Sequence, residues 1–310
     1  MTNTKLSVPH ERNGKSSPVP VVIDYPDSQE KVTTAIVLTH GASGDYSSGN
    51  LPLLAESLAG HGYAIIRCSL TTVNMAIRVD AMRSVLSYLF EDDSKNSKVD
   101  PVVSKLRTSI TKIFIGGHSM GARVVVSIAG EQSKDETTSS KKAKSDKSES
   151  KKDTNGGFAH KLHGVITFSY PLHPPGKQAQ LRDQILFDLP ETCNILMLSG
   201  TKDPFGEVPL MSKVQDKMTC SLTAVRIEKA GHSLMPGKSK KIDKNTKNTQ
   251  EETLLGSIAD RIDKWIKNID NDKESTAGNK RKRDSKKVYE NMEIGFANDV
   301  WKVSYLKAIK

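Results

Sequence analysis

Lys112-Ile113-Phe114-Ile115-Gly116-Gly117-His118-Ser119-Met120-Gly121-Ala122-Arg123 is the stretch on which the fold turns. Its first residues form a short apolar run that reads as a buried strand, and its last residues open a helix. Between them, Gly117-His118-Ser119-Met120-Gly121 fits the G-x-S-x-G pattern of a nucleophile elbow. At such an elbow the serine backbone is strained so that its hydroxyl stands clear of the sheet, and the residues two before and two after it must be small. Gly117 and Gly121, flanked by Gly116 and Ala122, meet that demand. Glycine-rich strand-to-helix turns also occur in many other α/β proteins, so the pattern gains its weight from this setting and from the acid and the histidine found downstream.

On either side the chain alternates β-branched runs with helical patterns, the signature of a mostly parallel, doubly wound α/β sheet with helices on both faces. Residues 19–24, 34–39, 63–68, 165–170, 194–200 and 222–227 read as strands. Asn50 is expected to cap a helix carrying Leu53, Leu54 and Leu58, and Met75 to Phe90 reads as an amphipathic helix. Another helix surrounds Val208 to Lys217. Glu251 to Ile269 repeats Leu254, Leu255, Ile258, Ile262, Trp265 and Ile266 at helical spacing and reads as the closing helix. One domain over residues 18–270 is expected, with a disordered N-terminus at 1–17, disordered polar insertions at 132–154 and 237–250, and a basic tail at 271–310.

A serine hydroxyl is a poor nucleophile until a base accepts its proton, and the base must be held by a carboxylate. In this kind of sheet the partners come after the serine in the order acid, then histidine, each beyond a later strand. Asp203 lies a few residues past the strand ending near Ser199, and His232 a few past the strand ending near Ile227. Asp203 could instead cap the turn before Pro204, and His232 could be an ordinary loop residue. The competing histidines are His40, His118 and His173, of which none comes after the last of these strands; His10, His61, His160 and His163 have no motif around them. Asp45, Asp188 and Asp216 are the rival carboxylates. An oxyanion needs two backbone donors. The amide of Met120 supplies one, and the amide of Gly41 or Ala42, in the glycine-rich loop after His40, the other.

Composition removes other classes of function. The net charge of +10 would suggest nucleic acid if it were spread over the fold, but residues 132–154, 237–250 and 271–310 carry all of it, so direct nucleic-acid binding is not expected. Cys68, Cys193 and Cys220 fall at no metal-ligand or disulfide spacing, which points to a reducing compartment and to a site without metal or cofactor. No apolar run is long enough to span a membrane, and the N-terminus lacks a signal sequence, so a soluble intracellular protein is expected. The cluster Lys280-Arg281-Lys282-Arg283 could be a nuclear signal, which leaves cytoplasm and nucleus both open.

Several blocks resemble one family closely: Leu38-Thr39-His40-Gly41-Ala42-Ser43-Gly44, Gly116 to Arg123, Ser169-Tyr170-Pro171-Leu172-His173-Pro174-Pro175-Gly176-Lys177, Ser199 to Gly206, and Ala230 to Ser233. They are similar to the α/β-hydrolase-like family of testis-expressed protein 30 and the NSL-complex regulatory subunit 3, itself similar to dienelactone hydrolases, over about residues 18–269. The resemblance implies the α/β-hydrolase fold and a serine hydrolase acting on a small acyl substrate, an ester or thioester. It implies triad roles for Ser119, Asp203 and His232, and oxyanion roles for Gly41 or Ala42 and Met120. It also implies that residues 169–177 line the site, although their prolines would equally stiffen a strand exit. The apolar part of the tail, 288–310, could dock back on the domain or bind a partner; one branch of the family acts in a chromatin complex, so a catalytically inactive scaffold with a protein partner on that tail is the alternative.

Overall fold

The apolar strands are buried on both faces because each is covered by helices on both sides. The computed structural model describes residues 1–27, 31–91, 99–139, 157–236, 244–276, 286–297 and 300–307. In chain order these form β1 (Thr2–Val8), the small hairpin β2 (Glu11–Arg12) and β3 (Lys15–Ser16), β4 (Val19–Tyr25), β5 (Thr34–Thr39), α1 (Leu51–Gly60), β6 (Ala64–Cys68), α2 (Met75–Phe90), α3 (Pro101–Ser109), β7 (Lys112–His118) and α4 (Met120–Ser139). Next come β8 (Leu162–Phe168), α5 (Gln184–Phe187), β9 (Asn194–Gly200), α6 (Val208–Lys217), β10 (Ser221–Ile227), α7 (Lys244–Thr276), β11 (Lys287–Ala297) and β12 (Val300–Lys307).

Ten strands make one sheet in the order β1-β4-β6-β5-β7-β8-β9-β10-β11-β12. The pairs from β6 through β11 run parallel, and antiparallel pairs occur only toward the two edges. Alternation along each strand divides the core in two. Ala35, Val37, Ile113, Ile115, Ile195 and Met197 pack on the side of α2, α3, α4 and α6. Ile36, Leu38, Phe114, Leu196 and Leu198 pack on the other side, against α1 and α7. This is the α/β-hydrolase arrangement, with a switch in winding direction beside β5 and β7.

Five expectations need correction. Residues 1–17, expected to be disordered, include β1, which pairs antiparallel with β4 from Thr2 opposite Tyr25 to Val8 opposite Val19. Only Leu6 and Val8 are apolar there, too few to reveal a strand that half-buries one face. The helix α4 continues through residue 139, into the expected insertion at 132–154, and α7 already begins at Lys244, inside the expected insertion at 237–250; the remainders, 140–154 and 237–243, lie outside the described residues. Within the tail 271–310, β11 pairs in parallel with β10 and β12 folds back on β11. Tyr289 and Met292 are buried, and the Glu290 carboxylate takes two donors from Arg261 at 2.5 and 3.0 Å. The basic cluster 280–283 lies outside the described residues. Asn50, finally, does not cap α1 with its side chain; its Nδ2 donates to the Ser233 carbonyl at 2.8 Å.

Candidate active site

Ser119 sits at the junction of β7 and α4 with φ at +53°, a left-handed conformation that costs a non-glycine residue about 1–3 kcal/mol and persists only where the surroundings impose it. The Ser119 amide donates to the Phe168 carbonyl at 2.9 Å, and its carbonyl accepts from Ala122 at 3.0 Å, so both ends of the turn are tied down. The small neighbours are sterically required. A Cβ on Gly117 would collide with the backbone of Gly121, and one on Gly121 would lie 2.6 Å from the His40 carbonyl oxygen.

The loops after β9 and β10 bring the acid and the base to this serine. His232 Nε2 lies 2.8 Å from Ser119 Oγ, and His232 Nδ1 lies 2.9 and 3.0 Å from the two carboxylate oxygens of Asp203. Because a carboxylate can only accept, Nδ1 carries the proton and Nε2 presents its lone pair to the serine hydroxyl. Asp203 is only 3% exposed, and its Oδ1 also accepts the Phe205 amide at 2.9 Å, which fixes the carboxylate plane. The Phe205 ring stacks on the imidazole with centroids 4.2 Å apart. His118 Nε2 donates to the His232 carbonyl at 2.8 Å, strapping the base loop to the elbow. Burial holds the His118 pKa below the ordinary imidazole value, so this residue is a neutral donor.

Gly41 and Ala42 stand beside the serine in the loop after β5. A Cβ built on Gly41 would lie 3.4 Å from Ser119 Cβ and 3.2 Å from His118 Nδ1. Among the described residues, neither loop amide has a protein acceptor. Met120 provides the first amide of α4, one of the donors that a helix cannot satisfy internally. His40 is not a rival base: its Nε2 accepts the Leu70 amide and its Nδ1 donates to the Gly41 carbonyl, both at 2.9 Å. Among the rival acids, Asp45 takes the hydroxyls of Ser47 and Ser48, and Asp216 takes the hydroxyl of Tyr289. Burial pushes the Cys68 thiol up to about 12, so it offers no thiolate at neutral pH.

A cavity of about 550 Å³ opens over Ser119 and His232, walled by Leu51 and Leu54 of α1, Leu255 and Ile258 of α7, and Phe168. Among the described residues, no Asp, Glu, Lys or Arg lines it. Residues 169–177, expected to line the site, do not reach the cavity. They stand behind Phe205 instead: the His173 amide donates to the Phe205 carbonyl at 3.1 Å, and the buried Tyr170 hydroxyl donates to the Arg182 carbonyl at 2.5 Å. Among the described residues there is no cluster of three His, Cys, Asp or Glu side chains suited to a metal, and no helix long and apolar enough to cross a membrane.

Sequence reasoning missed Phe205 and the roles of His40 and His118, and it passed over Arg78, whose buried guanidinium donates to the His40 and Ala42 carbonyls of the loop after β5. The signal for Arg78 was available. It precedes Met82, Val85, Leu86 and Leu89 by four, seven, eight and eleven residues, and so occupies the apolar stripe of α2 where a charge is out of place.

Comparison with known proteins agrees with this architecture. Residues 32–267 match the alpha/beta hydrolase domain family. Among solved structures, the chain is similar to a dienelactone hydrolase from Anabaena variabilis, at 13% identity and a TM-score of 0.55 over 86% of this chain and 97% of that one. It is similar also to Est1E from Butyrivibrio proteoclasticus, at 12% identity and a TM-score of 0.54 over 84% and 98%. An alpha-beta serine hydrolase homologue from Coxiella burnetii gives 15% identity and a TM-score of 0.51 over 83% and 97%. Identities this low speak to the fold, whereas the family match spans most of the sequence. The chain belongs to the alpha/beta hydrolase domain family.

Proposed function

We propose that this protein is a serine hydrolase that cleaves an uncharged carboxylic ester or thioester through an acyl-Ser119 intermediate. The observation that carries the reading is the continuous relay from Ser119 Oγ to His232 Nε2 at 2.8 Å and from His232 Nδ1 to Asp203 at 2.9 Å. His232 removes the hydroxyl proton as Ser119 Oγ bonds to the substrate carbonyl carbon. The resulting oxyanion takes the amide of Met120 and an amide of the Gly41 and Ala42 loop. Collapse of this intermediate expels the alcohol or thiol, which leaves with the proton held by His232. Water then repeats the sequence on the acyl-enzyme, freeing the acid and restoring Ser119. No step calls for a metal.

Three features support an enzyme over an inert scaffold. The left-handed Ser119 and the buried Asp203 each carry a cost that scaffolding alone would not require, and two loop amides beside the serine are left without protein acceptors. The charge-free cavity suits a neutral acyl group. The sequence blocks at 38–44, 116–123 and 169–177 favour the testis-expressed protein 30 and NSL subunit 3 branch within the larger family. The test is covalent labelling with a fluorophosphonate: the wild type should label stoichiometrically and Ser119→Ala should not. Equal labelling of both, or none of either together with inertness toward a broad ester panel, would reject the reading.

A further inference from the structure

Arg78 is the buried group that the relay leaves without a purpose. Its side chain is fully buried, yet among the described residues no Asp or Glu forms an ion pair with it. A cation without a counter-ion is expensive inside a fold, and apolar replacements of buried charges are often neutral or stabilising. All three arms of the guanidinium end on backbone carbonyls. Nε donates to Thr72, Nη1 to His40 at 3.3 Å and Nη2 to Ala42 at 3.3 Å. The carbonyl between those last two, that of Gly41, is held by His40 Nδ1 at 2.9 Å. Three successive carbonyls of one loop are therefore drawn onto fixed donors, two of them on a single positive charge.

We propose that Arg78 is a positioning residue of the oxyanion hole, holding the carbonyls of His40 and Ala42 so that the loop amides face the oxyanion formed on Ser119. In a trans peptide the N–H points opposite to its C=O, so the Arg78 clamp on the His40 carbonyl turns the Gly41 amide toward the serine, the His40 Nδ1 bond to the Gly41 carbonyl does the same for the Ala42 amide, and the second Arg78 arm fixes the next peptide, between Ala42 and Ser43. The His40 carbonyl and the Gly41 amide belong to one peptide group, and a charged donor on the first makes the second a stronger donor. The guanidinium also adds a positive potential in a region poor in water, where it favours the state with the most negative charge. That state is the tetrahedral intermediate, not the bound ester. Arg78 therefore acts on turnover more than on substrate binding.

This proposal rests on Ser119 being the nucleophile, and the experiment separates the two. Wild type, Arg78→Met and Arg78→Lys are compared for thermal melting, for kcat and KM on p-nitrophenyl acetate, and for the rate of fluorophosphonate labelling. Arg78→Met is expected to fold, to lose about 10²- to 10³-fold in kcat and labelling rate, and to keep KM within about threefold. Arg78→Lys keeps the charge without the fork and should recover part of the loss. An inert wild type would reject the nucleophile assignment itself. An active wild type alongside a folded variant with kcat within threefold, or with the loss falling in KM, would overturn the role of Arg78. Failure of both variants to fold would assign the guanidinium to the core and overturn it as well.

Discussion

Replacing Asp203 with asparagine should disable the site while leaving its shape intact, and the hydrogen bonds show why. The carboxylate accepts from both the Phe205 amide at 2.9 Å and His232 Nδ1 at 2.9 and 3.0 Å. Asparagine has one acceptor oxygen and one donor nitrogen. The Phe205 amide can only donate, so it claims the oxygen and leaves the side-chain NH₂ facing the imidazole. His232 must then present a lone pair at Nδ1, which moves its proton to Nε2 and points a donor at Ser119 Oγ, 2.8 Å away. Such a tautomer cannot receive the serine proton, and the lost carboxylate no longer stabilises the imidazolium. The expected fall in kcat is about 10⁴-fold, equivalent to about 5.5 kcal/mol of transition-state stabilisation, with KM changed by less than about fivefold. Single-turnover release of p-nitrophenol from the acetate ester measures the acylation step directly. Activity of Asp203→Asn within tenfold of wild type would refute both the tautomer argument and the acid assignment.

Because the cavity is apolar and uncharged among the described residues, kcat/KM should rise by about fourfold for each methylene added to a short acyl chain until the cavity is filled. The succinate monoester should react far more slowly than the butyrate ester; a flat series or a preference for the succinate would contradict this. Removing residues 286–310 deletes Met292 and Tyr289, two large buried side chains each worth about 1.5–3 kcal/mol, so the urea midpoint should drop markedly while residues 119, 203 and 232 stay in place. An unchanged midpoint would mean that the outer hairpin does not pack. Burial, aided for His40 by the Arg78 cation, holds the pKa values of His40 and His118 below the ordinary imidazole value. The unfolded chain therefore binds more protons than the folded one below about pH 6.5, and stability must decline as pH falls through that value toward the lower folded pKa values. Urea midpoints that match at pH 7.5 and 5.5 would contradict it.

The central sheet was legible because β5, β7, β8 and β9 are buried on both faces and so leave apolar runs that few polar residues interrupt. The meeting of Ser119, Asp203 and His232 was legible because each comes just after a strand whose end is visible and is of the residue type that the proposed chemistry demands. Arg78 was overlooked because its purpose depends on which carbonyls its fork meets, and those belong to residues 72, 40 and 42, whose approach only the folded loop defines. The strands β1, β11 and β12 were missed for a different reason. They lie at the margins of the sheet, β1 and β12 as edge strands and β11 next to β12, and their mixed composition resembles that of unstructured segments until a neighbour supplies the other half of the pairing.

The two strands from opposite ends of the described chain occupy opposite margins of the sheet, β1 at one and β12 at the other. Nine gaps between ten strands, at about 4.8 Å each, set them roughly 43 Å apart before twist is allowed for. A donor dye on Thr4 and an acceptor on Ser304 would thus act as a ruler across the whole molecule. Peeling of either margin would change the transfer efficiency while ester turnover continued, whereas a rupture between β5 and β7, in the middle of the span, would end both signals together.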